Sequence, residues 1–362
     1  MKIQYLSLGL LQFLTPSLLS QQMQDPNFSL NLSSYQEENI ERGFRFTYQE
    51  RYEDARKEFE KLIRGDPESP AGYFYLAGLL GLYMNDFSTL STEEEFLFNI
   101  EKAVEKAEKW IMKSHTSFSP HPSLAWAYFY MGGSYGYRAY HHYQKRAYLR
   151  SFNDTLKAFE SFKKSLELDS TLYDAYMGMG GYHYFMSEIW GVFPFVGKEP
   201  EEGIREVRLA MEKGRYSRIA AKNGLILLLL REKQYPSALQ LSLELIGEYP
   251  NNRTFNWILA KVFQEMGDWE RALMTYERLF QLIREGQPEN LNNLLSCQLE
   301  ISQIFYQQKR YEECIINCQM IIEHSERNPS SRDFDMRFPA QRDFEKEAKR
   351  LLKKARIKKG GK

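Results

Sequence analysis

Residues 177–184 read Met-Gly-Met-Gly-Gly-Tyr-His-Tyr, and glycines this close together allow a backbone to approach a phosphate. A phosphate loop also needs a preceding strand, and then either a completed G-x-G-x-x-G or a following Gly-Lys-Ser/Thr. The chain supplies none of these around Met177, so the glycines are expected to serve helix packing, as are Gly132, Gly133 and Gly136. Six histidines raise the question of a metal, but none stands in an H-E-x-x-H motif. His141 and His142 are adjacent, so on a helix they point in different directions and cannot easily share one ion; solvent-facing side chains are expected.

Three cysteines, Cys297, Cys314 and Cys318, form an odd set confined to one region, unlike the framework of a small disulfide-rich domain. Cys314 and Cys318 share one face of a predicted helix, where a free thiol behaves as a small hydrophobe. In an oxidising compartment Cys297 could pair with either, and spacing alone leaves that open. The acidic groups Glu93–Glu95 and Glu201–Glu202 resemble paired acid and base residues, but each sits at a predicted helix start, where negative charge offsets the helix dipole. No Ser-His-Asp or Cys-His arrangement can be argued from the spacing. The sequence therefore predicts no catalytic residue, no cofactor and no metal ligand.

The elements that carry these residues follow from composition and periodicity. The 362 residues contain 24 Tyr and 24 Phe, enough apolar surface to build a folded body despite the low mean hydropathy. Formal charge is zero overall, yet residues 341–362 hold ten Lys or Arg against three acids, which leaves the rest of the chain acidic. That distribution supplies no basic face across the fold, so nucleic acid is not an expected partner. The first twenty residues have the layout of a secretory signal peptide: Lys2, an apolar stretch with a late Pro16, and Ser20 before polar Gln21. Export to the periplasm or outer cell envelope is expected, with residues 1–20 removed. Leu225–Leu230 is too short an apolar run to cross a membrane.

Self-similarity settles the expected architecture. Gly43, Phe46, Ala55, Phe59 and Pro67 recur in kind as Tyr128, Met131, Gly132, Tyr135, Ala158 and Phe162. Related sets follow at Tyr176, Met179, Gly180 and His183, at Gly224, Leu227, Ala238 and Pro250, and at Leu259, Ala260, Phe263, Ala272 and Tyr276. This pattern resembles the tetratricopeptide repeat family, whose unit is a pair of antiparallel helices about 34 residues long. The resemblance covers residues 36–325, is of the exported bacterial type, and includes a weak similarity to the tetratricopeptide repeat protein 39 family over Gly178–Asn252. It implies an all-α, right-handed superhelical solenoid of about seven helix pairs, with insertions in units two, three and four. A basic amphipathic helix over 341–362, with Phe344, Ala348, Leu351, Leu352 and Ala355 on one side, is expected to cap the array.

What the family implies for function is binding. Its inward positions map to Phe74, Trp126, Phe129, Tyr137, Met177, Tyr184, Trp257 and Lys261, an expected aromatic groove for a protein or peptide partner. His183 takes the family's Tyr slot and is expected as a core residue. Ile40 and Phe44 stand where a chaperone-tail clamp would need Lys and Asn, so no such clamp is expected. The insertion Ser187–Pro200, with Trp190, Phe193 and Phe195, is too apolar to be left in water; it either folds back over the groove, the favoured expectation, or forms a docking patch for a partner. The reading is thus a non-enzymatic scaffold or adaptor of the cell envelope. Its alternative is a small-ligand-binding accessory protein for transport or sensing, and the basic tail could touch an anionic envelope surface.

Overall fold

The computed structural model describes residues 34–115, 123–190, 200–327 and 343–360. The expected signal peptide, residues 1–20, lies outside them, as does the middle of the insertion after Trp190. Among the described residues the structure is all-α, with fifteen helices and no strand. None of these helices is long and apolar enough to cross a membrane.

The helices divide into two compact units. The first contains α1 (Ser34–Tyr48), α2 (Tyr52–Gly65), most of α3 (Pro70–Asp86), α4 (Glu93–His115), α5 (Ser123–Gln144), α6 (Tyr148–Leu168), α7 (Ala175–Trp190), α8 (Pro200–Lys213) and nearly all of α9 (Arg218–Arg231). The second contains α10 (Tyr235–Glu248), α11 (Arg253–Glu265), α12 (Trp269–Gly286), α13 (Leu291–Gln307), α14 (Tyr311–Arg327) and α15 (Phe344–Gly360), together with Asn85–Thr89.

The chain turns back within its pairs by one recurring device. Glu50, Arg146, Lys233 and Lys309 each adopt a left-handed backbone, with φ of 59°, 58°, 57° and 62°, just before the second helix of a pair. Gly267 takes the same role between α11 and α12 with φ 76°, and there the residue type suits the conformation. Starts are fixed by side-chain caps in the second unit. Asn252, Asp268 and Asn290 accept from the backbone N–H groups of Phe255, Arg271 and Asn293 at the heads of α11, α12 and α13.

Packing in the first unit depends on small residues facing rings or facing backbone. A Cβ on Gly43 of α1 would stand 2.4 Å from the Phe59 ring of α2, so the ring occupies the missing side chain's space. The α7–α8 crossing is tighter still. A Cβ on Gly180 would lie 2.6 Å from the Gly203 carbonyl oxygen, and one on Gly203 would lie 2.6 Å from the Gly180 oxygen and 2.7 Å from the Tyr184 nitrogen. Backbone lies on backbone there, and no rotamer change can relieve a clash. Around these crossings the rings pack on one another: Phe44 meets Phe59 and Tyr75, Phe74 stacks on Tyr137 at 5.3 Å, and Trp126 meets Phe129 and Tyr216 edge-on.

The two adjacent histidines point apart, and the first is not solvent-facing. His141 is 3% exposed, with its Nε2 2.9 Å from Glu93 Oε1 at the head of α4. Lys145 also bonds to Glu93, and His142 pairs with Asp154 at 3.1 Å. Burial holds the His141 pKa below its ordinary value despite the pull of Glu93. Burial would raise Glu93, but Lys145 and His141 keep it below the usual carboxylate range.

The second unit has its own core. Phe263, Tyr276, Leu279, Ile301, Ile304 and Ile321 are buried together with all three cysteines. The cysteines are free thiols; Cys297 donates to the Tyr276 carbonyl at 3.1 Å, and burial pushes its pKa up, away from the reactive thiolate. The last helix, α15, turns Ala348 and Ala355 into the same core and pairs Lys359 with Glu312 of α14. Asp86 is held in this unit by an ion pair with Arg253, and its carbonyl accepts from Asn293 Nδ2 at 2.6 Å.

Two outcomes test this packing. Gly180→Ala or Gly203→Ala should each cost about 2–3 kcal/mol in denaturant unfolding, the upper part of the usual overpacking range. Gly136→Ala should instead stabilise by up to about 1 kcal/mol through helix propensity, since nothing lies within 4 Å of its would-be Cβ. The second concerns pH. With a folded pKa below the unfolded value, His141 binds fewer protons in the native state, so stability falls as pH drops below about 6.5. Unfolding midpoints at pH 7 and pH 5 should therefore differ more in the wild type than in His141→Gln.

Candidate functional site

Three helix faces in the first unit converge on a cleft with an empty volume of about 930 Å³, counting the space open to solvent. From α5 the lining is Gly133, Gly136, Tyr140 and Tyr143, one helical face. Helix α6 adds Ser151, Thr155 and Phe159, and α7 adds Met177, Gly178, Tyr182 and Phe185. The cleft exists because glycines leave space that side chains would fill. Gly136 meets no heavy atom within 4 Å of its would-be Cβ, whereas Gly133 and Gly178 are covered by the rings of Phe74 and Phe162. The expectation that every glycine here serves helix packing therefore fails at Gly136, which opens onto the cleft.

The walls are aromatic and few of their polar groups are free. Phe159 and Tyr182 stack at 4.0 Å. Thr155 donates its hydroxyl to the Ser151 carbonyl, and Gln144 donates to the Tyr140 hydroxyl. Burial raises the Tyr143 and Tyr182 phenols above their ordinary values, so both are neutral and able to donate. Beside this wall, α6 carries an exposed apolar stripe of Leu149 (83% exposed), Phe152 (42%) and Leu156 (37%). The stripe stands one position round the helix from Ser151 and Thr155, so it borders the cleft.

One carboxylate fixes the site's base. Asp174, directly before α7, is buried and accepts the backbone N–H groups of Arg215, Tyr216 and Ser217 at 3.0, 2.7 and 2.6 Å. These amides lead into α9, so one side chain ties the start of α7 to the start of α9. Burial raises the Asp174 pKa, and the three amide donors draw it partly back.

A second group of residues lies on the α7–α8 crossing. His183 Nδ1 is 2.6 Å from Glu206 Oε2, and one ligand atom each from His183, Glu202 and Glu206 lie within 4.8 Å of one another. His183 is therefore half-buried and ion-paired, where the repeat pattern placed it in the core. The Glu206 hydrogen bond raises its pKa above the ordinary imidazole value, against the effect of burial.

Of the eight side chains expected to face a partner, six are buried: Phe74, Trp126, Phe129, Tyr137, Met177 and Tyr184. The physical reason is the glycine pattern. Each ring that covers a glycine on the neighbouring helix becomes core, as Phe74 does over Gly133. Phe129, Tyr137 and Met177 still form the floor of the cleft. Trp257 and Lys261 belong to the second unit; Trp257 meets Tyr276 edge-on at 5.6 Å, and Lys261 bonds to Gln264 at 3.0 Å. The side chains of Trp190, Phe193 and Phe195 lie outside the described residues. Sequence reasoning missed Tyr140, Tyr143, Phe159, Tyr182 and Phe185, and missed the α6 stripe. The signal was present at 149, 152 and 156, an apolar set one step off the Ala158–Phe162 core face.

Residues 45–80 and 257–282 each match a model of the tetratricopeptide repeat. The chain carries tetratricopeptide repeats at these two places. Among solved structures, it is similar to the C-terminal part of a tetratricopeptide repeat-containing protein from Cytophaga hutchinsonii, with 14% identity, 83% of this chain and 96% of that one covered, and a TM-score of 0.43. A tetratricopeptide repeat protein from Parabacteroides merdae has 15% identity, coverage of 90% and 100%, and a TM-score of 0.39. The Cut9–Hcn1 hetero-tetramer of the APC/C has 12% identity, coverage of 91% and 50%, and a TM-score of 0.50. At such identities the likeness is one of fold. No curated protein matches the chain in sequence. The tetratricopeptide fold is in general a non-catalytic protein-interaction scaffold, which suits a site made of rings and glycines.

Replacing Asp174 with Ala should strand three amide donors at the head of α9 and cost about 2–4 kcal/mol in chemical unfolding. Faster hydrogen exchange at Tyr216 and Ser217 than at the α11 amides would locate the loss.

Proposed function

We propose that this tetratricopeptide-repeat protein is an exported, non-enzymatic scaffold of the bacterial cell envelope that receives an apolar segment of a protein partner. The observation that carries the reading is the aromatic cleft of α5, α6 and α7 with the exposed Leu149–Phe152–Leu156 stripe on its border. An apolar stripe left in water beside an apolar cavity marks a surface that another chain covers. A partner segment would set one or two large side chains into the cleft and lie along α6. The expected groove is thereby moved from the repeat's inward positions to this cleft, with Phe129, Tyr137 and Met177 as its floor.

Export rests on the layout of residues 1–20, and the envelope on the same segment. The basic α15 exposes Lys353, Lys354, Arg356 and Lys358, a row of cations suited to peripheral contact with an anionic envelope surface. A second reading has one observation in its favour. The cleft is concave and walled by rings with a few polar groups among them, as small-molecule sites are, which would make the protein a ligand-binding accessory for transport or sensing.

Cross-linking the mature protein in envelope extracts should capture a polypeptide, with capture at least tenfold weaker in Phe152→Glu and in Thr155→Trp. Both substitutions are made on the outer half of α6 and should leave the helical signal intact. Equal capture by all three chains would refute the site. Native mass spectrometry separates the two readings, since a bound molecule of a few hundred daltons would favour the ligand-binding one.

A further inference from the structure

We propose that His183, Glu202 and Glu206 form a binding site for a divalent transition-metal cation, with zinc as its probe. The three proposed ligands do not line the cleft, and the proposal is independent of the partner reading.

The placement of the three side chains is set by the tightest contact in the first unit. Gly180 and Gly203 cross backbone on backbone, which fixes α7 against α8 with no slack. His183 stands three residues after Gly180, Glu206 three after Gly203, and Glu202 immediately before it. Glu202 and Glu206 are four apart and share one face of α8, opposite the imidazole on α7. The rotation of His183 is restrained by the Phe159 ring, edge-on at 5.9 Å, and by the bond to Glu206.

The donor set suits such an ion. One imidazole nitrogen and two carboxylate oxygens are ligands for zinc and its neighbours rather than for calcium or magnesium, which take oxygen donors. Ligand atoms around a tetrahedral zinc lie about 3.3 Å apart, given bonds near 2.0–2.1 Å. The three atoms here already lie within 4.8 Å of one another, so the remaining approach is of the size that side-chain torsions supply. The side chains of His183 and Glu202 are 27% and 46% exposed, which leaves an approach for the ion and a solvent-facing fourth position. In the ion's place, the pair of carboxylates is balanced by the His183 bond to Glu206 and by Arg205, 3.7 Å from Glu202 on a side chain 73% exposed. Arg205 can swing away at little cost when a dication takes over that role.

The test uses the full chain, stripped with a chelator, dialysed, and titrated with zinc against a chromophoric zinc indicator. One equivalent of zinc should compete with the indicator in the wild type, and zinc should raise the melting temperature. Glu202→Gln and Glu206→Gln should each weaken that binding at least tenfold and remove the thermal shift, while Glu201→Gln, exposed and outside the cluster, should not. Glu202 is half-exposed, so its variant keeps the fold and remains a sufficient test should the Glu206 variant unfold. Absence of competition by the wild type would overturn the proposal. So would zinc held equally well by Glu202→Gln, which would place the ion elsewhere, for instance on Cys314 and Cys318.

Discussion

Where α7 meets α8 the chain has no side chain at all at the point of closest approach, and the carbonyl oxygen of each glycine stands where the other's Cβ would be. Much else in the first unit follows from that contact. It aligns α7 so that Met177, Gly178, Tyr182 and Phe185 face the cleft, and it carries His183 to the two carboxylates of α8. Because close-packed helices tolerate neither a void nor an added methyl well, a crossing of this kind is rigid. The backbone that carries the cleft wall of α7 and the His–Glu cluster is therefore held in place by this contact.

The aromatic residues divide into two populations with different work. Those opposite a small residue, such as Phe59 over Gly43 and Phe74 over Gly133, fill space inside the repeat and contribute through burial of large apolar area. Those next to glycines that remain uncovered, such as Tyr140 and Tyr143 near Gly136, line the cleft. The same residue type at the same helical spacing thus fills the core or lines a cleft according to what faces it. Polar groups follow a parallel logic. Asp174 is buried because three amide donors offset its desolvation, and it ties the start of α7 to the start of α9.

Periodicity and spacing were sufficient for the all-α repeat architecture, because the signals for it are local. Gly43 with Phe59, and Ala272 with Tyr276, stand at offsets that suit paired helices, and these four are buried. The acidic starts of α4 and α8 were also readable, since helix-dipole effects act within one turn. So was the packing role of Gly180, which meets Gly203 of α8.

Tertiary structure alone decided which of those residues touch water or one another. Whether Trp126 or Leu149 faces solvent depends on the neighbouring helix, and an inward repeat slot says nothing about how deep the next ring lies. His183 and Glu202 are separated by an insertion whose course no local rule predicts, so their meeting could not be inferred from spacing. The sequence by itself determined that helix pairs form and that their apolar faces must stack, because those preferences act over three or four residues. Which faces remain open is a property of helices in contact, since it depends on the volume each glycine leaves and on the side chain that does or does not arrive to fill it.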